Sequence, residues 1–152
     1  MQRDDGFTLI EVICVLAIVA LIASLALPAI PRTTSRARLE AYAIEVAALL
    51  TADRNAAIRR HTTIATSLDS VARTIRSGSS ADRIQLPRDV AFDALLARTC
   101  NGRSAGATIV FFPGGMSCGG TIDLRRGDVG FQIRVNWLTG GNEVVSLDSA
   151  AK

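Results

Sequence analysis

The sequence has one histidine, His61, one lysine, Lys152, and no serine or cysteine set in a nucleophile motif. Each scarcity removes a class of chemistry. With no paired histidine and carboxylate and no nucleophile elbow, no acyl-transfer apparatus is recognisable, and His61 reads as part of a helix end rather than as a general base. Cys100 and Cys118 have no histidine or further cysteine near them in sequence, which excludes a zinc site. The glycine-rich "PGGMSCGG" lacks the Lys-Ser/Thr and the following helix of a phosphate-binding loop, so it reads as a hairpin loop. Dense basic runs are missing too. Sixteen arginines and one lysine stand against 14 acids, and the net +3, spread along the chain, reads as a solvated surface rather than a nucleic-acid patch. The expectation is no enzyme, no metal and no cofactor.

What the chain does have is the run "GFTLIEVICVLAIVALIASLALPAI", residues 6–30. Between Val12 and Leu27 it carries no charge, and Ser24 is its only hydroxyl. Residues 7–27 as a helix would be roughly 31 Å long, matching the hydrocarbon core of a bilayer. A transmembrane helix is expected. The rival is a cleaved secretory signal peptide, opposed by the length of the run and by the acids Asp4, Asp5 and Glu11. Arg32, Arg36 and Arg38 follow the run and only Arg3 precedes it, so the positive-inside rule favours the reverse orientation. Glu11 itself needs a reason, because an ionisable group in a membrane helix costs about 2.5–3.5 kcal/mol on insertion scales.

Beyond Pro28 and Pro31, with Thr34 or Ser35 available as a cap, Leu39, Tyr42, Ala43, Val46, Leu49 and Leu50 recur every three or four residues. That is one apolar face of an amphipathic helix reaching about Arg60. Joined to the apolar run, it predicts one helix of about 55 residues and roughly 80 Å. Strands are expected at residues 62–67, 90–92, 108–112, 121–124 and 143–147. Another is expected where Val129, Phe131, Ile133, Val135 and Trp137 alternate with polar residues or glycine. "RSGSSADR" reads as an exposed loop, and residues 67–89 carry the weakest pattern. The fold class predicted is α+β, the long N-terminal helix packed on an antiparallel β-sheet. If the C-terminal part is extracytoplasmic, Cys100 and Cys118 are expected to pair, with two free thiols as the alternative; the bridge would close a loop worth on the order of 3 kcal/mol.

The string Gly6-Phe7-Thr8-Leu9-Ile10-Glu11 opening an apolar helix resembles the processing signal of type IV pilins and pseudopilins. The resemblance implies that a prepilin peptidase cuts between Gly6 and Phe7 and that the new amino terminus on Phe7 is methylated. It implies that Glu11 pairs with that terminus on a neighbouring subunit, and that Pro28 kinks the helix. The mixed-charge leader departs from the usual basic one. "ADRNAAIRR", "IVFFPGGMSCGGTIDL" and "FQIRVNWLTGGNEVV" are together similar to the minor pseudopilin H family of type II secretion, which shares its domain with FimT-like minor pilins. The implied organisation is a leader at 1–6, a transmembrane and filament-core helix at 7–30, an amphipathic helix at 31–61 and a periplasmic β-rich head at 62–152. The implied function is a structural subunit at or near a pseudopilus tip. Its partners would be major and minor pseudopilins, the inner-membrane secretion machinery and exported cargo. A FimT-like minor pilin of a type IV pilus, active in pilus assembly or DNA uptake, is the alternative, although a nucleic-acid partner is not expected from the charge pattern.

Overall fold

The computed structural model describes residues 8–26 and 33–147. Two compact units divide at the Arg32–Thr33 bond.

In the first unit, helix α1 spans Leu9–Ala26. It contains neither glycine nor proline, and Glu11 lies in its first turn, where a carboxylate suits the positive end of the helix dipole. Its apolar residues through Ile22 are all exposed, Leu9 at 81% and Leu21 at 66%. A helix that is apolar on every side needs a covering that is not water. Eighteen residues make about 27 Å, and among the described residues no helix is long and apolar enough to cross a membrane. Gly6, Phe7 and Pro28 lie outside the described residues.

In the second unit, helix α2 spans Arg36–Arg60. The expected uninterrupted helix is not what forms. Ser35 is extended (φ −72°, ψ 162°) and its side chain accepts from the Arg38 N–H at 3.2 Å, which is an N-cap and marks a fresh start. The preceding Thr34 N–H is taken by the Asp89 carboxylate at 2.7 Å. At the other end His61, left-handed at φ 49°, closes the helix with its own N–H on the Ala57 and Ile58 carbonyls. Leu39, Ala43, Val46, Leu50 and Ala57 form the buried face.

Among the described residues ten strands follow: β1 (Ile64–Asp69), β2 (Thr74–Arg76), β3 (Arg83–Gln85), β4 (Ala91–Leu96), β5 (Thr99–Cys100), β6 (Arg103–Ser104), β7 (Thr108–Phe111), β8 (Gly120–Arg126), β9 (Val129–Val135) and β10 (Asn142–Ser146). The class is α+β, but the head holds two four-stranded antiparallel sheets and a small hairpin rather than one sheet. Their orders are β3-β2-β1-β7, β10-β9-β8-β4 and β5-β6. Helix α2 packs against strands of both larger sheets, and its Val46 and Leu50 join Ile75, Ile109, Phe111, Ile122, Leu124 and Ile133 in one core. The alternation of β9 buries Phe131, Ile133 and Val135 and then stops. Trp137, expected on the buried face, is 65% exposed because the chain has already turned: the Asn136 side chain accepts from the Leu138 and Thr139 N–H groups.

Candidate functional site

Among the described residues no three metal-binding side chains converge. His61 serves as the α2 cap already described. The side chains with the most extensive polar contacts are those that hold the head together.

The first is Asp53, a fully buried aspartate on α2. Its carboxylate accepts from the Thr66 hydroxyl at 2.6 Å, the Ser77 hydroxyl at 2.5 Å, the Gly78 N–H at 2.9 Å and the Ser79 N–H at 3.1 Å. Burial pushes this carboxyl up. The hydrogen bonds from Ser77, Ser79, Thr66 and Gly78 outweigh that and leave it below the ordinary carboxylate range. Part of the loop expected to be simply exposed, 76–83, is thus folded back onto the helix. Gly78 is needed there, since a Cβ would sit 2.3 Å from the Ala65 carbonyl oxygen. The sequence carried a signal for Asp53 that residue type concealed. It falls on the buried stripe between Leu50 and Ala57, where periodicity calls for an apolar residue.

A second cluster stands where the chain enters α2. Asp89 accepts from the Thr34 N–H and, at 3.0 Å, from the Thr34 hydroxyl. It also pairs with Arg126 Nε at 3.1 Å, and Arg126 Nη1 donates to the Thr34 carbonyl. The Asp89 carboxyl is held below its usual range, chiefly by the Thr34 N–H, with Arg126 contributing. The start of α2 is thereby fastened to the head by Asp89, just before β4, and by Arg126 at the end of β8.

Two further ties complete the frame. Arg54 Nε donates to the Gly115 carbonyl at 3.1 Å and the Thr139 carbonyl at 2.9 Å, joining α2 to two loops at once. Gly140 (φ 62°) allows those loops to meet, because a Cβ there would lie 2.1 Å from the Gly115 oxygen. Cys100 and Cys118 are joined by a disulfide with Cα atoms 5.7 Å apart, linking β5 to the loop before β8. Exposed Trp137 and Met116 line a cleft beside it. Cys14, on α1, is free and exposed. The Glu11 carboxylate, also exposed on α1, has no ion-pair partner among the described residues. An unpaired charge in so apolar a stretch is costly wherever water is excluded.

Residues 1–27 match the prokaryotic N-terminal methylation motif. The fold is similar to that of the minor pseudopilin EpsH from the type 2 secretion system of Vibrio cholerae, with 10% identity, a TM-score of 0.55, and coverage of 70% of this chain and 95% of that one. It is equally similar to the type IV minor pilin FimU of Pseudomonas aeruginosa, at 17% identity, TM-score 0.55, and coverage of 74% and 91%. A second crystal form of FimU gives 14% identity, TM-score 0.52, and coverage of 70% and 91%. No curated protein matches the sequence. At these identities the likeness is one of fold.

Proposed function

We propose that this chain is a minor pseudopilin, a structural and non-enzymatic subunit at or near the tip of a type II secretion pseudopilus. The observation that carries the reading is the coincidence, in one chain, of an N-terminal methylation motif over residues 1–27 with a head of minor-pilin fold. In this reading residues 1–6 are removed by a prepilin peptidase and Phe7 is methylated. The apolar segment anchors the chain in the inner membrane, with its N-terminus cytoplasmic and its head periplasmic. The segment then becomes filament core, packed against other pseudopilins, and Pro28 supplies a kink. Glu11 meets the amino terminus of a neighbouring subunit, so that a charge with no partner among the described residues is satisfied on assembly. The head faces other minor subunits, the secretion machinery or exported cargo.

Gly6 tests the first step. Gly6→Leu should leave an uncut precursor about six residues heavier than the mature chain, and mass spectrometry that finds normal processing in this variant would overturn the cleavage assignment. The similarity to FimU favours a second reading, a FimT-like minor pilin of a type IV pilus serving pilus assembly or DNA uptake. In-frame deletion separates the two: loss of protein export with pili intact supports the first, and loss of surface pili or of transformation with export intact supports the second.

A further inference from the structure

One stretch of the chain is locally rich in arginine. Between Asp69 and Asp89, residues 70–88 contain Arg73, Arg76, Arg83 and Arg88 against the single acid Asp82. This stretch is the β2–β3 hairpin with its flanks, and its register does something unusual with the charge. Arg76 stands directly opposite Arg83, Ser67 of β1 opposite Arg76, and Thr108 of β7 opposite Ser67. Ile75 and Ile84 take the buried face of the hairpin, leaving Arg76, Arg83 and Ser67 exposed and Thr108 half-buried. At about 4.8 Å between strands the row runs roughly 14 Å across the sheet.

Like charges directly opposite destabilise a sheet, and among the described residues neither guanidinium has an ion pair or hydrogen bond. Asp69 borders the same groove as Arg76 but accepts from the Ala72 N–H at 2.7 Å, and Asp82 borders that of Arg83 but accepts from the Ser80 hydroxyl at 2.7 Å; neither acid pairs with either arginine. Glu45 borders the same groove as Arg83 without pairing with it.

We propose that the Arg83–Arg76–Ser67–Thr108 row is a docking surface for an acidic protein segment, the carboxylate-bearing face of a neighbouring filament subunit. The identity of the partner rests on the filament reading; the carboxylate chemistry does not. Guanidinium forks match carboxylates bidentately, and charge pairs of this kind set register and partner choice more than raw affinity. Nucleic acid fits less well. Residues 64–91 contain no aromatic side chain, so there is no platform on which unpaired bases would stack. Two guanidinium groups also fall well short of the roughly 6–10 phosphate contacts behind strong duplex binding.

The test uses the full chain in detergent, with poly-L-glutamate and a duplex DNA oligonucleotide as probes. Wild-type protein should bind polyglutamate at low salt. Arg76→Gln with Arg83→Gln should weaken that binding roughly tenfold, while Arg98→Gln with Arg103→Gln, the same charge removed from another exposed site, should leave it unchanged. Arg76→Thr alone should raise Tm by a few degrees while weakening polyglutamate binding, a combination that a merely structural arginine would not produce. No binding to polyglutamate, an equal loss in the control pair, tighter binding to duplex DNA, or a lowered Tm in Arg76→Thr would each overturn the proposal. None of these readouts depends on leader cleavage, so failure here leaves the Gly6 result standing and the reverse also holds.

Discussion

Asp53 shows how much one side chain can organise. A buried carboxylate with four donors exchanges hydration for a complete set of protein partners, and the same donors would be stranded without it. Asp53→Ala should therefore destabilise the head by roughly 3–5 kcal/mol, read as a drop in denaturation midpoint; a loss below about 1 kcal/mol would mean that water replaces the carboxylate without penalty. The pH dependence has a definite sign. The folded pKa lies below the ordinary value, so ionised Asp53 contributes stability above the unfolded-state pKa of about 3.9, and that contribution is lost as pH falls through the lower folded pKa. Asp53→Asn should flatten this acid limb of the stability curve. The position of Asp53 on the buried stripe was legible within "ADRNAAIRR", but its donors were not, because a string of letters does not say that residues 77–79 fold back to meet the helix.

At the scale of elements, legibility followed the length of the pattern. The three- and four-residue spacing of Leu39 to Leu50 identified α2, and the alternation from Val129 to Val135 identified β9, because each repeats over several periods. Strands β2 and β3 have three residues apiece, too few for alternation to be visible, and they fell in the stretch with the weakest pattern. The division of strands between two sheets is a matter of long-range pairing, such as β1 with β7 and β4 with β8, which local periodicity does not encode. Trp137 misled because it continues the period by letter while Asn136 has already begun a turn. The disulfide belongs to this scale, since it ties β5 to the approach to β8 across 18 residues of sequence. Replacing both Cys100 and Cys118 by serine should cost about 3 kcal/mol and lower Tm on the order of 10 °C. Reductant should lower the wild-type Tm comparably and leave the double variant unmoved. A wild-type melt that is unchanged once both thiols are shown to be free would remove this role.

For the whole molecule the notable contrast is between a head that satisfies its buried polar groups, with no unpartnered buried side-chain atom among the described residues, and an α1 that satisfies almost nothing alone. Its apolar residues through Ile22 are exposed, and Glu11 has no partner ion among the described residues. Gly6, Phe7 and Pro28, named from the motif, lie outside the described residues, so the filament half of the proposal stands on residue identity and on Glu11. Glu11→Ala should be inserted and processed as wild type yet be recovered in assembled filaments at roughly a tenth of the wild-type level or less, since one charge of the proposed pair would then be left alone. Wild-type incorporation, measured by quantitative blotting of sheared filaments, would remove Glu11 from the assembly step.

The cluster of Thr34, Asp89 and Arg126 has a mechanical consequence. A pull transmitted along the backbone from the N-terminal side reaches the head first at Thr34, whose N–H, hydroxyl and carbonyl are all bonded to Asp89 or Arg126. The load is shared there by three bonds in parallel before it can reach the first turn of α2. Because Asp89 precedes β4 and Arg126 ends β8, strands that are themselves paired to each other, tension is delivered to two adjacent strands at once rather than to the end of the helix alone. A tug from that side therefore meets hydrogen bonds to two paired strands before it can unwind the first turn of α2.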